Sequence, residues 1–401
     1  MARKTILLFI SILTAVLLLA ACGEEADSAV AENNVNNEGP AQENAVNEEE
    51  TEENAANEAA VEEYIVTVAN EKDETLSVIY YPEGRQELIE LDGQAHNVEV
   101  NKETGLIWVT INPPHGHDHD DEEDGGHGHN NNETNNDNHN NDEENNHGHG
   151  SEHDEGTGEK VVAYDIYTLE KAEEYAAGSH PAHVSITKDG NTVVFSNSGD
   201  NTVTIIDRVT EEAAVIETGE YPHGLRISPD QDYAYVANMH SGDVSIIDLE
   251  EKTEVNRIPA GEGAVQTGFS HDGKYTFAGL HLANQLAVIE TASQELIKTI
   301  DIGVGPVQMY ASYDNEYVIV ANQGSADSPS DTISIISLDE LEVVKELQVG
   351  KGAHGIVISD DSRYAFVTNM FEDTISVVDL VTLEETERID TGTYPNGISV
   401  Y

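Results

Sequence analysis

From residue 64 onward, apolar and polar positions alternate in short runs. A period of two predicts β-strands rather than helices. The runs also recur: starts aligned at Pro181, Pro222, Ala264, Pro306, Ala353 and Pro395 lie 41, 42, 42, 47 and 42 residues apart. Each unit opens with a short apolar strand, such as GLRIS at 224–228, and then turns at Asp189, Asp230, Asp272, Asp314 or Asp361. A second strand reads YVAN at 235–238, IVAN at 319–322 and FVTN at 366–369. A third occupies 201–207, 243–248, 331–337 and 373–379, and a fourth, more polar one leads to a Gly-rich join. Four short strands per unit of this length predict a propeller blade. Such a blade must pack against its neighbours to bury both faces.

Counting closes the ring. Residues 95–180 form one unit with an insertion, since their 86 residues less about 45 return 41. Residues 64–70, 75–81 and 87–91 supply strands two to four of another unit, whose first strand is the C-terminal segment 395–401. That pairing removes the open sheet edges. The expected fold class is all-β: a seven-bladed β-propeller over residues 64–401, closed by the C-terminal strand joining the N-terminal blade. The repeats resemble the YVTN-repeat (YncE-like) family of extracytoplasmic seven-bladed propellers. The resemblance covers residues 64–401 apart from the insertion and implies the fold; the fold itself hosts many activities.

The polar segments add to the picture. Residues 1–21 carry Arg3 and Lys4 before an apolar run at 6–19, the pattern of a secretion signal. Leu19-Ala20-Ala21-Cys22 resembles a bacterial lipobox, which implies cleavage before Cys22, lipidation of its thiol and a membrane anchor outside the cytoplasm. Cys22 is the one cysteine of the chain, so no disulfide or thiolate metal site is expected. Residues 22–63 contain fourteen acids and no base, the composition of a disordered tether spanning roughly 35 Å. The insertion, residues 113–158, holds nine of the 17 histidines: His115, His117, His119, His127, His129, His139, His147, His149 and His153. They alternate with Asp, Glu, Asn and Gly, and predict a disordered, solvated ligand tract for divalent metal.

The formal net charge of −60 excludes nucleic acid as a natural partner. The tether and the tract account for 28 of the 78 acids, so the propeller is itself acidic. The plain explanation is a salty or alkaline habitat.

Blade topology sorts the remaining histidines. The join into each first strand lies on the same face as the loop between strands two and three, here called the upper face. The column opening strand one reads His96, Ala182, His223, Val265, Val307, His354 and Asn396. The next column reads Asn97, His183, Gly224, Gln266, Gln308, Gly355 and Gly397. Upper loops add Ser198, Met239, His240, His281, Gln323 and Met370. Six histidines are therefore expected around the upper mouth of the channel: His96, His183, His223, His240, His281 and His354. His180 stands farther out in a join, and His271 in a lower turn. The His-rich insertion also leaves from the upper face. His223 with His240 leads the expected ligand set, followed by His183 and His354, then His281 and His96. Imidazoles and carboxylates suit Zn2+, with Cu and Ni as alternatives because Met239 and Met370 could bring thioethers.

Asp-rich His loops resemble those of solute-binding proteins that feed zinc ABC importers. A propeller bearing them resembles the AztD-type extracytoplasmic zinc metallochaperones. That resemblance implies zinc binding and hand-over to such a solute-binding protein, without catalysis; a monomer is expected. The internal position of the tract and the lipid anchor depart from it. The expected function is a membrane-anchored metallochaperone or scavenger, with metal release below about pH 6 as imidazoles protonate. No nucleophile elbow or paired catalytic motif is present, so no enzyme activity is expected. The alternatives are a cell-surface interaction scaffold and a haem d1 or copper cofactor propeller.

Overall fold

The structure is a computed structural model that describes residues 63–114 and 158–401. Cys22, the signal segment, the tether and the nine tract histidines lie outside the described residues. Those described form seven antiparallel four-stranded sheets and one short 3-10 turn, Ser198–Asp200. No helix among them is long and apolar enough to cross a membrane.

Each sheet is one blade, numbered here in chain order from the N-terminus. Blade 1 is composite: its strands Tyr64–Asn70, Thr75–Tyr81 and Arg85–Glu90 are joined by Pro395–Val400. The closing strand pairs antiparallel, with Val66 opposite Val400 and Thr67 opposite Ser399. The seven first strands form the inner ring: Pro395–Val400, Gln94–Asn101, Pro181–Ile186, Pro222–Ile227, Ala264–Phe269, Pro306–Ala311 and Ala353–Ile358. Each contacts the next around the central channel.

Burial follows from this ring. The second strand of blade 2, Leu106–Asn112, is buried throughout, whereas outer strands such as Glu212–Glu217 are mostly exposed. Seven apolar clusters fill the seven blade interfaces, one holding Trp108 with Phe195 and another Phe277 with Met309. The inner strands are thus largely withdrawn from water, which is the main stabilising term for the described residues.

The repeated Asn that ends strand two acts as a staple. Asn369 Nδ2 donates to Thr374 Oγ1 and Ser376 Oγ, both at 2.9 Å, while its Oδ1 accepts from Gly350 N–H at 3.0 Å. Asn70, Asn197, Asn238 and Asn322 donate in the same way to the strand that follows. The Asp of the lower turn accepts a hydroxyl two residues earlier, as in Ser228 to Asp230 at 2.5 Å. These repeated polar positions secure turns, which accounts for them without ligands.

Candidate metal centre

Every first strand carries a bulge where it enters the sheet. The register shifts between Ala95 and Val98, Pro181 and Val184, Pro222 and Leu225, and likewise in the other blades. A bulge places an extra residue against the partner strand and re-aims nearby side chains. His96 and His183 belong to adjacent sequence columns, yet the bulged geometry turns both into the upper mouth.

There they meet His223. The ligand nitrogens of His96, His183 and His223, on consecutive blades 2, 3 and 4, all lie within 4.8 Å of one another. All three side chains are buried. His96 Nε2 and His223 Nε2 are 3.3 Å apart. Two nitrogens bound to one tetrahedral ion at ~2.0–2.1 Å would be separated by roughly 3.3–3.4 Å. His223 Nδ1 lies 3.2 Å from Val265 O, so this nitrogen carries its proton and Nε2 offers a lone pair. His183 is wholly buried and neither ring nitrogen has a hydrogen-bond partner. Buried polar groups are nearly always partnered, and a metal ion would satisfy this one.

Burial disfavours the charged form of His96 and His183. It lowers the His96 imidazole to about 3, with the charge of His180 adding to the effect. His183 is held well below the usual imidazole range by burial and then by His223, His96, Arg226 and His354. The expected release below about pH 6 assumed ordinary imidazoles. At the mouth, desolvation disfavours protonation of His96 and His183, which bears against release in that range.

A carboxylate stands behind His96. Glu71 Oε2 lies 3.9 Å from His96 Nδ1 and accepts from Asn396 Nδ2 at 2.8 Å, while Asn396 Nδ2 is 3.3 Å from His96 Nδ1. With Nε2 bound to a metal, the His96 proton would sit on Nδ1, where Asn396 Nδ2 now points a donor; the Asn396 amide would have to turn and Glu71, at 3.9 Å, come closer to complete a carboxylate–histidine pair. Glu71 was missed in the sequence although it directly follows the Asn staple, as Met239 and Met370 do in their blades.

The other expected ligands separate from the triad. His240 is exposed and stacks on Tyr221 with ring centroids 4.4 Å apart, so the structure does not pair it with His223. His354 is buried on blade 7 and is held well below its ordinary value by burial and by His96 and His223, but its nitrogens are outside the triad. His281 Nδ1 lies 3.2 Å from Pro306 O. Met370 Sδ accepts from Gln323 Nε2 at 3.3 Å, which occupies that thioether elsewhere. His271 stacks on Tyr313 in a lower turn.

In the same column as His183, Gln266 and Gln308 are buried and neither amide atom of either has a partner. Gly224 makes room for this layer: a Cβ there would lie 1.4 Å from Gln266 Oε1. The described ends of the His-rich insertion sit at this same end. Ile111 pairs with Lys160 and Ala95, next to His96, pairs with Ile111.

Comparison with known proteins supports the architecture. The family model described as YNCE-like beta-propeller matches residues 157–313. No curated protein matches the sequence. Among solved structures, hydrazine synthase of Kuenenia stuttgartiensis is similar at 16% identity with a TM-score of 0.59, covering 78% of this chain and 90% of its own. The dihydro-heme d1 dehydrogenase NirN gives 15%, 0.55, 83% and 74%. A candidate 6-phosphogluconolactonase of Bacteroides fragilis gives 14%, 0.64, 86% and 99%. At these identities the likeness is one of fold. This chain is therefore a seven-bladed β-propeller, similar over 157–313 to the YNCE-like beta-propellers.

Proposed function

We propose that the protein is an extracytoplasmic divalent-metal binder, anchored through Cys22, that collects zinc with residues 113–158 and holds it at the His96–His183–His223 triad. The observation that carries this reading is His183: a wholly buried imidazole with two unpartnered nitrogens, beside two imidazole nitrogens spaced as ligands of one ion. Three imidazoles without sulfur suit zinc, and three protein ligands leave a fourth position open for exchange. An open position is what hand-over to a partner, such as the solute-binding protein of a zinc importer, requires. Because the tract leaves blade 2 at the end that carries the triad, captured metal has a short path inward.

Similarity to a haem d1 enzyme raises a cofactor reading. Three nitrogens converging within 4.8 Å favour a bare ion, since a haem iron takes one axial protein ligand on each face. The test is zinc titration of the full chain and of a 113–158 deletion, followed by elemental analysis after dialysis. We expect one tightly held zinc to persist without the tract and to disappear in His183→Ala. Loss of all tight zinc with the tract would refute the triad, and unaltered zinc in His183→Ala would do the same.

A further inference from the structure

The lower half of the channel takes no part in the proposed metal site. A cavity of about 540 Å³ opens there, between the last residues of the first strands and the turns that follow them. Its wall mixes polar side chains with an aliphatic and aromatic part that includes Phe269, Met309 and Tyr310. Lys102, Lys188, Glu103 and Asp360 stand in its rim, and Lys102 Nζ pairs with Asp360 at 2.5 Å.

Two charged side chains enter from the ring of residues three positions beyond the column that opens strand one. Glu99 comes from blade 2 and Arg226 from blade 4. Arg226 differs from three other arginines of this chain. Arg208, Arg257 and Arg388 each grip a carboxylate with at least two nitrogens. The Nη1 of Arg226 instead donates to Leu225 O at 3.1 Å and lies 3.5 Å from Glu99 Oε2, too far for a good hydrogen bond. Its Nε and Nη2 hydrogens have no partner among the described residues. Glu99 Oε1 accepts from Ser185 Oγ at 3.1 Å and from Ile186 N–H at 3.4 Å, which leaves Oε2 facing the cavity beside Arg226. Burial pushes the Glu99 carboxyl up even with Arg226 nearby, so a further cation at Oε2 would be favoured.

Opposite charges side by side, each incompletely satisfied and close to the aliphatic and aromatic part of the wall, match a molecule with both charges on one carbon. We propose that the lower mouth binds a free α-amino acid with an apolar side chain. Its carboxylate lies on the free edge of the Arg226 guanidinium, its ammonium on Glu99 Oε2 and its side chain against the wall beside Phe269 and Tyr310. The guanidinium fork suits a carboxylate, and the cavity has the size and lining of a small-molecule site. This site is independent of the metal reading.

The test is calorimetric titration of the full chain with L-phenylalanine and with L-leucine. 3-Phenylpropionate and 2-phenylethylamine serve as probes that each lack one charge. At least one amino acid should bind saturably at one per chain. For phenylalanine, both analogues should bind at least about tenfold more weakly, the loss expected for one charged hydrogen-bonding group. Arg226→Gln and Glu99→Gln should each weaken binding about tenfold or more, with zinc uptake unchanged. If either variant misfolds, the analogue comparison on the unaltered protein decides. No saturable binding of either amino acid, equal binding of 3-phenylpropionate, or full binding in both variants would overturn the proposal. Zinc uptake lost while amino-acid binding persists would instead count against the metal site alone.

Discussion

The two ends of one channel are built from the same seven strands and carry opposite chemistry. The upper mouth gathers buried imidazoles and amides, those of His183, Gln266 and Gln308 lacking hydrogen-bond partners, with its carboxylate, Glu71, set behind a ring nitrogen. The lower mouth presents Glu99 and Arg226 to an apolar cavity. A few residues along each strand separate them. The bulge at the top of every first strand gathers side chains from two adjacent columns, whereas the regular pleat below presents a single ring. The scaffold thus fixes where side chains converge, and residue choice at those positions decides what could bind.

The sharpest way to break this contrast is to remove one imidazole. His183→Ala or His96→Ala should weaken zinc binding by the tract-deleted protein at least about 100-fold, a ligand being worth more than the outer-shell partners that cost 10–100-fold. His240→Ala should change it less than about twofold. Competition with a chelator of known affinity checks both. A large effect at His240 would restore the pairing with His223 expected from sequence.

Glu71→Gln should weaken zinc by about 10–100-fold while leaving one ion per chain, because the carboxylate orients His96 without being placed among the triad's nitrogens. Stoichiometry and affinity measured together separate this from loss of a ligand.

Metal-free protein should lose stability as pH falls from about 6.5. The unfolded chain takes up protons there that the buried neutral rings refuse, so it binds more protons than the folded state and gains on it. For His96 the window runs from about 6.5 down to about 3. The slope approaches ~1.4 kcal/mol per pH unit for each such ring. Urea unfolding at pH 7.5 and 5.0 should show a smaller acid loss in His96→Gln than in the unaltered protein. Equal losses would place the proton uptake elsewhere.

The smallest expected effect is at the other end: Arg226→Gln should leave zinc affinity within about twofold. A larger change would mean that the two mouths are coupled.

Much of the fold was legible. The period near 42, the strand alternation and the split blade closing on residues 395–401 all follow from pattern, because a propeller repeats one local solution to burial. The histidine columns placed His96, His183 and His223 at one mouth but did not signal that these three, rather than His223 with His240, converge. His96 and His183 occupy different columns, and only the bulge brings them together. His240 follows Asn238, which pairs with Pro222, so its ring lies past the strand end and folds onto Tyr221. Glu71 stood in a column already in view. Glu99 and Arg226 share a column three residues below His96 and His223, but nothing in one repeat signals that a Glu and an Arg two blades apart will face one cavity. The tract histidines and Cys22, legible as composition and motif, remain proposals about capture and anchoring.

The most direct measurement is anomalous diffraction at the zinc edge from crystals of the tract-deleted protein grown with one equivalent of zinc. The account predicts a single strong peak at the upper mouth, ~2.0–2.1 Å from Nε2 of His96 and of His223 and from one ring nitrogen of His183. A peak elsewhere, or no ordered zinc at this stoichiometry, would contradict it.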